Sequence, residues 1–236
     1  MKDNRSYYDD FAGWYERERH HGYHALLDHL QVGIARPLAA GRDVLEVGCG
    51  TGMILKDIAP VAKTAVGIDI SRGMLAQARS RGLNVVEGSG TALPFPDQSF
   101  DFVYSFKVLA HIEAIHQALG EVGRVLRPGG QAALEFYNRN SLRYLVKRLK
   151  KPHKVSDETT DDQVFTRYDR LDDIRGYLPP ELSIEDLRGV RVVTPFAQVH
   201  KVPLVGQAFA WAERQARDHR ITAQLGGFLV VIVRKG

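Results

Sequence analysis

The chain has few of the residues that covalent or membrane-spanning architectures need. Its 236 residues include a single cysteine, Cys49, so no internal disulfide can form, and the expected compartment is a reducing cytoplasm. The longest purely apolar run, FLVVIV at 228–233, falls far short of the roughly 20 residues of a membrane-spanning helix. The opening MKDNRSYYDDF is polar and lacks the apolar stretch of a secretory signal. With 44% hydrophobic and 25% charged residues, the composition excludes disordered, collagen-like and disulfide-scaffold classes. A chain of this length forms one decorated domain or two small ones.

The basic charge is concentrated in one place. The net charge is +4, and seven basic residues (Arg139, Arg143, Lys147, Arg148, Lys150, Lys151 and Lys154) lie between 139 and 154 with no acidic residue among them. Without those seven the remainder is −3, so the excess describes a local surface. Leu142, Leu145, Val146 and Leu149 recur within it at helical spacing and predict an amphipathic helix. Such a helix is either a solvated face or a surface for an anionic substrate, an RNA or a membrane. An acidic stretch from Asp157 to Asp173 follows it and offers a third possibility, mutual pairing.

Alternating strand and helix signals through the first 137 residues predict a parallel α/β sheet. Strands are expected at 43–48, 64–69, 84–88, 100–106 and 131–137. Helices are expected at 51–59, at 71–82 with Ser71 as N-cap, and at 113–126, closed by an RPGG turn at 127–130. Two helices at 6–18 and 23–36 precede the sheet. After residue 137 the rhythm breaks into a segment, 138–185, that reads as an insertion. A strand near 190–193, a helix near 204–218 and a strand at 228–233 complete the chain.

The first strand runs into VLEVGCGTG, residues 44–52, where Gly48, Gly50 and Gly52 allow a sharp turn and close approach of a ligand. The dinucleotide fingerprint GxGxxG fails here, because its third glycine would fall on Met53 or Leu55, and the phosphate-loop pattern fails too. Glu46, inside the strand, would repel a pyrophosphate. Asp69, about twenty residues on at the end of the second strand, is placed to hydrogen-bond ribose hydroxyls. A ribose without a neighbouring phosphate points to a nucleoside.

VLEVGCGTG, the acid of GID at 67–69, LPFPDQSFD at 93–101 and RVLRPGG at 124–130 together resemble the class I S-adenosylmethionine-dependent methyltransferases, in particular the small-molecule branch of ubiquinone and menaquinone biosynthesis. The resemblance covers about residues 40–137. It implies an α/β, Rossmann-like doubly wound seven-stranded sheet with the last strand antiparallel, N-terminal helices and an insertion after strand five. It also implies one methyltransferase domain over 1–236, with 1–38 as a helical lid and 138–185 as a substrate-side insertion.

The cofactor implied is S-adenosyl-L-methionine, with S-adenosyl-L-homocysteine as product and no metal. Carried over by position, Glu46 would orient the loop and the methionine ammonium through water or backbone, Gly48 and Gly50 would pass beneath the methionine tail, and Gly52 would complete the cofactor loop. Asp69 would hold the ribose, while Ile70 and Met74 would pack on adenine, Met74 having a plain core role as its alternative. Gly88, Ser89 and Gly90 stand where members of the family often carry a GDA pattern whose Asp accepts from the adenine amino group; Ser89 can accept one hydrogen bond there, with backbone groups at Gly90 and Thr91 to compensate for the lost carboxylate. Ser105 and Phe106 would lie beside the methionine part, and Tyr15, on the aromatic face it shares with Tyr7 and Phe11, would close over the cofactor.

For a proton-bearing acceptor His111 is the candidate base, and Tyr137, with Asn138, is placed to meet the substrate. Tyr168, Phe196 and His200 lie in segments that could close over the pocket. Lys107 either faces solvent or meets an anionic group. The implied activity is methyl transfer to a small, hydrophobic biosynthetic metabolite. The partner expected is that metabolite, with peripheral membrane contact open and no DNA. Two alternatives remain: an RNA methyltransferase using the basic helix, which lacks an NPPY-like motif where SFKVLAH stands, and a non-catalytic nucleoside-binding protein.

Overall fold

Strand and helix alternate along this chain because its apolar residues occur in short buried runs separated by amphipathic stretches. A computed structural model describes residues 23–149, 165–194 and 197–236. Helix α1 (Tyr23–Ala39) leads into β1 (Asp43–Val47), α2 (Leu55–Ile58), β2 (Thr64–Asp69), α3 (Arg72–Ser80), β3 (Val85–Glu87) and β4 (Phe100–Ser105). Then come α4 (Ile115–Val125), β5 (Leu126–Tyr137), α5 (Leu142–Leu149), α6 (Leu171–Tyr177) and β6 (Leu182–Val190). Helices α7 (Pro203–Arg217) and α8 (Arg220–Ala223) precede β7 (Phe228–Lys235).

The seven strands form one sheet in the order β3-β2-β1-β4-β5-β7-β6. Strands β1 to β5 pair in parallel, and β7 runs antiparallel between β5 and β6. The expected doubly wound sheet with an antiparallel last strand is the architecture found. Side chains alternate between two layers, as the pleat requires. On one face Leu45, Val103 and Leu134 pack with Leu119 and Val122 of α4 and Ile174 of α6. On the other Val44, Phe102 and Tyr104 pack with Leu27, Leu30 and Ile34 of α1 and Ile58 of α2. The strand order reverses between β1 and β4, and a crevice opens at the carboxyl edge of such a switch point. Among the described residues no helix is long and apolar enough to cross a membrane.

Several element boundaries differ from the sequence expectation. The helix expected at 51–59 shrinks to Leu55–Ile58, because Gly50 and Gly52 take φ of +52° and +80°, outside the helical region. The RPGG segment does not end the helix before a separate strand. Leu126 already pairs with Phe100, and Arg127–Gly130 bulge out where the register shifts. The strand expected near 190–193 lies earlier, at Leu182–Val190, and begins within the stretch assigned to the insertion. Glu185 and Asp186 interrupt its apolar pattern, as an edge strand tolerates, and the register shifts beside them.

Helix α5 forms where the basic stretch predicts it, but it is turned the other way. Leu142 and Leu145 are 54% and 55% exposed, while Arg143 packs inward against aromatic rings. The remainder of that stretch (Lys150, Lys151 and Lys154) and the 6–18 helix with Tyr7, Phe11 and Tyr15 lie outside the described residues.

Ser71 caps α3 as its position predicts: it is buried, and its Oγ accepts from Met74 N at 3.1 Å. Ser71→Ala is expected to lower unfolding free energy by about 1 kcal/mol, measured as a lower midpoint in urea at unchanged slope. An unchanged midpoint would show that the cap is dispensable.

Candidate active site at the carboxyl edge of the sheet

Where β1, β2 and β4 end, the chain encloses a cavity of about 440 Å³, within the range of small-molecule sites. Its floor is the glycine loop. Gly48 N and Cys49 N donate to Ile68 O at 2.7 and 3.0 Å, which draws the loop across the end of β2. Asp69, the last residue of β2, then ties it down: Oδ2 accepts from Gly50 N at 2.8 Å and Oδ1 from Ser71 N at 2.9 Å. Asp69 also lines the cavity, so its carboxylate is within reach of what the cavity holds.

The glycines differ in role. A Cβ on Gly50 would meet nothing within 4 Å, which leaves room for a ligand over the backbone. A Cβ on Gly52 would lie 2.3 Å from Leu83 Cδ1, so this glycine serves the packing of α3 and stands away from the cavity lining. Of the other residues expected to bind cofactor, Gly48, Ile70, Met74, Ser89, Gly90, Thr91 and Phe106 line the cavity with Gly50 and Asp69. Met74 does so while also being buried in the core, which joins the two roles read for it. Ser89 Oγ lies 2.8 Å from Thr91 Oγ1 and accepts from Thr91 N at 3.2 Å. Ser105 Oγ donates to Val47 O at 2.9 Å beneath the cavity.

Glu46 is not among the residues that line the cavity. It is buried in the sheet and accepts from the Tyr104 hydroxyl at 3.0 Å, because residue 46 points to the α1 side while Val47 points to the cavity. Tyr15 and Phe196 lie outside the described residues. Asn138 is buried and committed to the backbone, with Nδ2 donating to Gln224 O and Gly226 O at 2.7 and 2.9 Å. His200 Nε2 lies 3.2 Å from Thr194 Oγ1, and its ring packs on Phe209. The Cys49 thiol is pushed up by burial and by the nearby charges of Glu46 and Asp69, so it stays protonated.

The opposite wall carries His111 and Lys107. Lys107 has φ of +62°, a strained value for a side-chain-bearing residue. Two bonds hold it there: its N–H donates to Glu135 Oε1 at 3.0 Å and its Nζ to Asp28 Oδ1 at 2.7 Å. The ammonium is thus turned to α1, neither to bulk solvent nor to the cavity centre. His111 is buried at the cavity edge, with Nδ1 2.8 Å from Phe165 O and Nε2 3.3 Å from Tyr137 Oη.

A carbonyl can only accept, so Nδ1 carries the proton and Nε2 presents its lone pair. Burial lowers the imidazole pKa from its ordinary 6.5, and Arg143, Lys147 and Arg167 push the same way against the Phe165 hydrogen bond. Tyr137 itself stands behind His111 rather than in the lining. Sequence reasoning did not find Phe165, Val108, Ile112, Glu113 or Ala114. Phe165 lies 54 positions from His111, and no local pattern signals that approach.

Known proteins resemble this chain in sequence and in fold. Residues 45–134 match the family described as a methyltransferase domain. A probable S-adenosylmethionine-dependent methyltransferase of Mycolicibacterium smegmatis is 41% identical over 102 residues, which cover 42% of this chain and 40% of that protein. A demethylmenaquinone methyltransferase of Tropheryma whipplei is 36% identical over 131 residues, covering 48% of this chain and 54% of that protein. The chain thus spans about half the length of these curated relatives. A Thermotoga maritima crystal structure, described as a SAM-dependent methyltransferase and possible histamine N-methyltransferase, superposes with a TM-score of 0.69 at 20% identity, covering 98% of this chain and 99% of that one. Residues 45–134 thus resemble a methyltransferase domain, and the seven-stranded sheet built around them has the fold of that S-adenosylmethionine-dependent methyltransferase structure.

Proposed function

We propose that this chain transfers the methyl group of S-adenosyl-L-methionine to a small-molecule acceptor, leaving S-adenosyl-L-homocysteine. The observation that carries the reading is the cavity over Gly50, with Asp69 at its rim and unfilled space where a side chain would stand. The residues present suit the cofactor. Asp69 presents a carboxylate, an acceptor suited to ribose hydroxyls, Ile70 and Met74 offer apolar surface for a purine, and Ser89 and Thr91 offer a polar edge. The lysine nearest the cavity is neutralised by Asp28, so a sulfonium meets no uncompensated cation there.

When bound, the cofactor supplies a methyl group on a positively charged sulfur, which leaves as a neutral thioether as the new bond to the acceptor forms. The protein's part is alignment and proton management. His111 receives the acceptor proton on Nε2, displacing the long 3.3 Å contact that the Tyr137 hydroxyl makes with that atom, and the Phe165 carbonyl stabilises the resulting imidazolium through Nδ1–H. The mixed lining, with Phe106, Val108, Ile112 and Phe165 on the acceptor side, favours a partly apolar metabolite, as does the similarity to quinone-pathway enzymes.

Calorimetry with S-adenosylhomocysteine tests the cofactor assignment. Asp69→Ala is expected to weaken binding at least about tenfold, and Asp69→Asn, which keeps one acceptor for Gly50 N, by less. Unchanged affinity in both variants would sink the reading. Mass spectrometry of a panel of phenol, alcohol and amine acceptors detects the transferred methyl group.

For any acceptor that turns over with loss of a proton, His111→Ala is expected to lower kcat about a hundredfold or more with cofactor affinity retained. The wild-type rate should hold from neutral pH down to below 6.5 before falling, because burial keeps the folded imidazole unprotonated past its ordinary value. A variant with the same rate and the same acid limb would remove His111 from the mechanism.

A further inference from the structure

From residue 23 to 141 the chain leaves no large apolar side chain exposed. Among the described residues, those that stand exposed all belong to α5 or to the stretch 193–225. Single apolar residues at a surface need no explanation, but a set confined to one part of a fold does. On α7, Leu204, Ala208 and Trp211 fall at i, i+4 and i+7 and so form one stripe. That stripe faces solvent: Leu204 is 81% and Trp211 63% exposed, while Gly206 and Glu213, on the opposite side of the helix, are buried. On α5, Leu142 and Leu145 likewise face outward, and Ile221 and Leu225 do so around α8.

These elements adjoin one another where β5 and β6 end. The Cδ atoms of Arg143, from α5, and of Arg191, just after β6, lie 3.1 and 3.2 Å from the Cβ position that Gly227 leaves empty. Arg191 in turn covers the ring of Tyr23, at the start of α1, at 5.2 Å. Glu213 of α7 accepts from Val192 N, Val193 N and Thr194 N at 2.8, 3.1 and 2.8 Å, so α5 and α7 flank one short segment, 191–194. Asn138, ahead of α5, donates to Gln224 O and Gly226 O, on either side of Leu225.

The charge bordering these apolar stripes has one sign. Arg148 follows Leu145 by three positions and Arg214 follows Trp211 by three; both are exposed, and neither forms an ion pair among the described residues. The carboxylates nearby are occupied. Glu213 is buried on its three amides, Asp218 is paired with Arg217 and Arg188, and Asp186 with Arg188 and Arg220. Leucine and tryptophan on the outer face of a helix, bordered by arginine, are the residues of a helix lying in a membrane interface. Anionic headgroups match the cations, and a fluid interface takes protruding side chains without a pocket shaped to them. A second copy docked through the same face would set the basic borders against each other.

We propose that the outward faces of α5 and α7 form a docking surface for an anionic lipid bilayer, with Leu204 and Trp211 entering the interface and Arg148 and Arg214 meeting the headgroups. Helix α5 also carries Arg143 against Tyr137, whose hydroxyl contacts His111, so the docked face adjoins the acceptor wall. That adjacency bears on a reaction only through the methyl-transfer reading; the docking itself does not rest on it.

The test is flotation of the full chain with phosphatidylcholine vesicles and, separately, with vesicles of equal parts phosphatidylcholine and phosphatidylglycerol. Saturable binding to the mixed vesicles is expected, at least about tenfold tighter than to phosphatidylcholine alone and weakened by salt. In a Trp14→Phe background, which leaves Trp211 as the sole reporter, tryptophan emission should shift to shorter wavelength on binding. Leu204→Ser combined with Trp211→Ser should weaken vesicle binding about tenfold or more, and Arg148→Gln combined with Arg214→Gln about threefold or more at low salt. Both double variants should keep S-adenosylhomocysteine affinity within about twofold of wild type. No binding to the mixed vesicles, equal binding to both compositions, or binding that both double variants leave unchanged overturns the surface. A dimer in light scattering that the serine double variant dissolves assigns the face to a second copy and overturns it too. If the serine double variant fails to fold, the arginine pair and the Trp211 emission decide. A chain that docks on mixed vesicles and does not bind S-adenosylhomocysteine overturns the methyl-transfer reading and leaves the docking surface standing.

Discussion

One carboxylate keeps the cavity in shape. Asp69 terminates β2 and accepts from Gly50 N and Ser71 N, so the loop after β1 and the start of α3 are referred to a single residue at the end of a buried parallel strand. Charge-assisted bonds to backbone amides are stronger than neutral ones, and they hold glycines at positive φ that would otherwise sample many conformations. The same residue lines the cavity, which opens here because the strand order reverses next to β1.

The opposite wall is held from the two layers of the sheet. On the α1 side, Lys107 is tied to Asp28, and Glu135 accepts from both Lys107 N and Gln31, so a buried acid is surrounded by donors. Burial still raises the Glu135 pKa, with Lys107 opposing it, as expected for a charge whose desolvation is only partly offset. On the α4 side, Arg167 donates to Leu109 O and Ile112 O at 3.1 and 2.9 Å and is held by Asp169 at 2.8 Å. This clamps the segment carrying Phe165 against the turn carrying His111. The Phe165 carbonyl thereby selects the imidazole tautomer that leaves Nε2 free of a proton.

The legible parts of the site were those made by local backbone chemistry. Gly48, Gly50, Asp69, Ile70 and Met74 follow from a strand–loop–helix succession in which each residue's place is fixed by its neighbours, and all five line the cavity. Glu46 faces away from the cavity lining because strand alternation decides which layer a residue faces. Position 46 falls on the α1 side, against Tyr104. Gly52 looked like a loop glycine and is a packing glycine, since its contact is Leu83 from the far end of α3. Lys107 was ambiguous because its partners, Asp28 and Glu135, are distant in sequence and belong to an element before the sheet and a strand after it.

Periodicity and turn chemistry were enough to reveal the α/β class, the five parallel strands and the binding edge, because each depends on residues within a few positions of one another. Three things depended on long-range contact. The edge strand Leu182–Val190 is recognisable only through its pairing with β7, since its outward face is polar. The orientation of α5 was set by the aromatic rings of Tyr137 and Phe228, which outweighed the leucine stripe and drew Arg143 inward. The pairing of His111 with Phe165, and the convergence of Arg143, Arg191 and Tyr23, join segments from separate parts of the chain. Local pattern carries no record of such meetings, because they arise only when the layers close over the sheet.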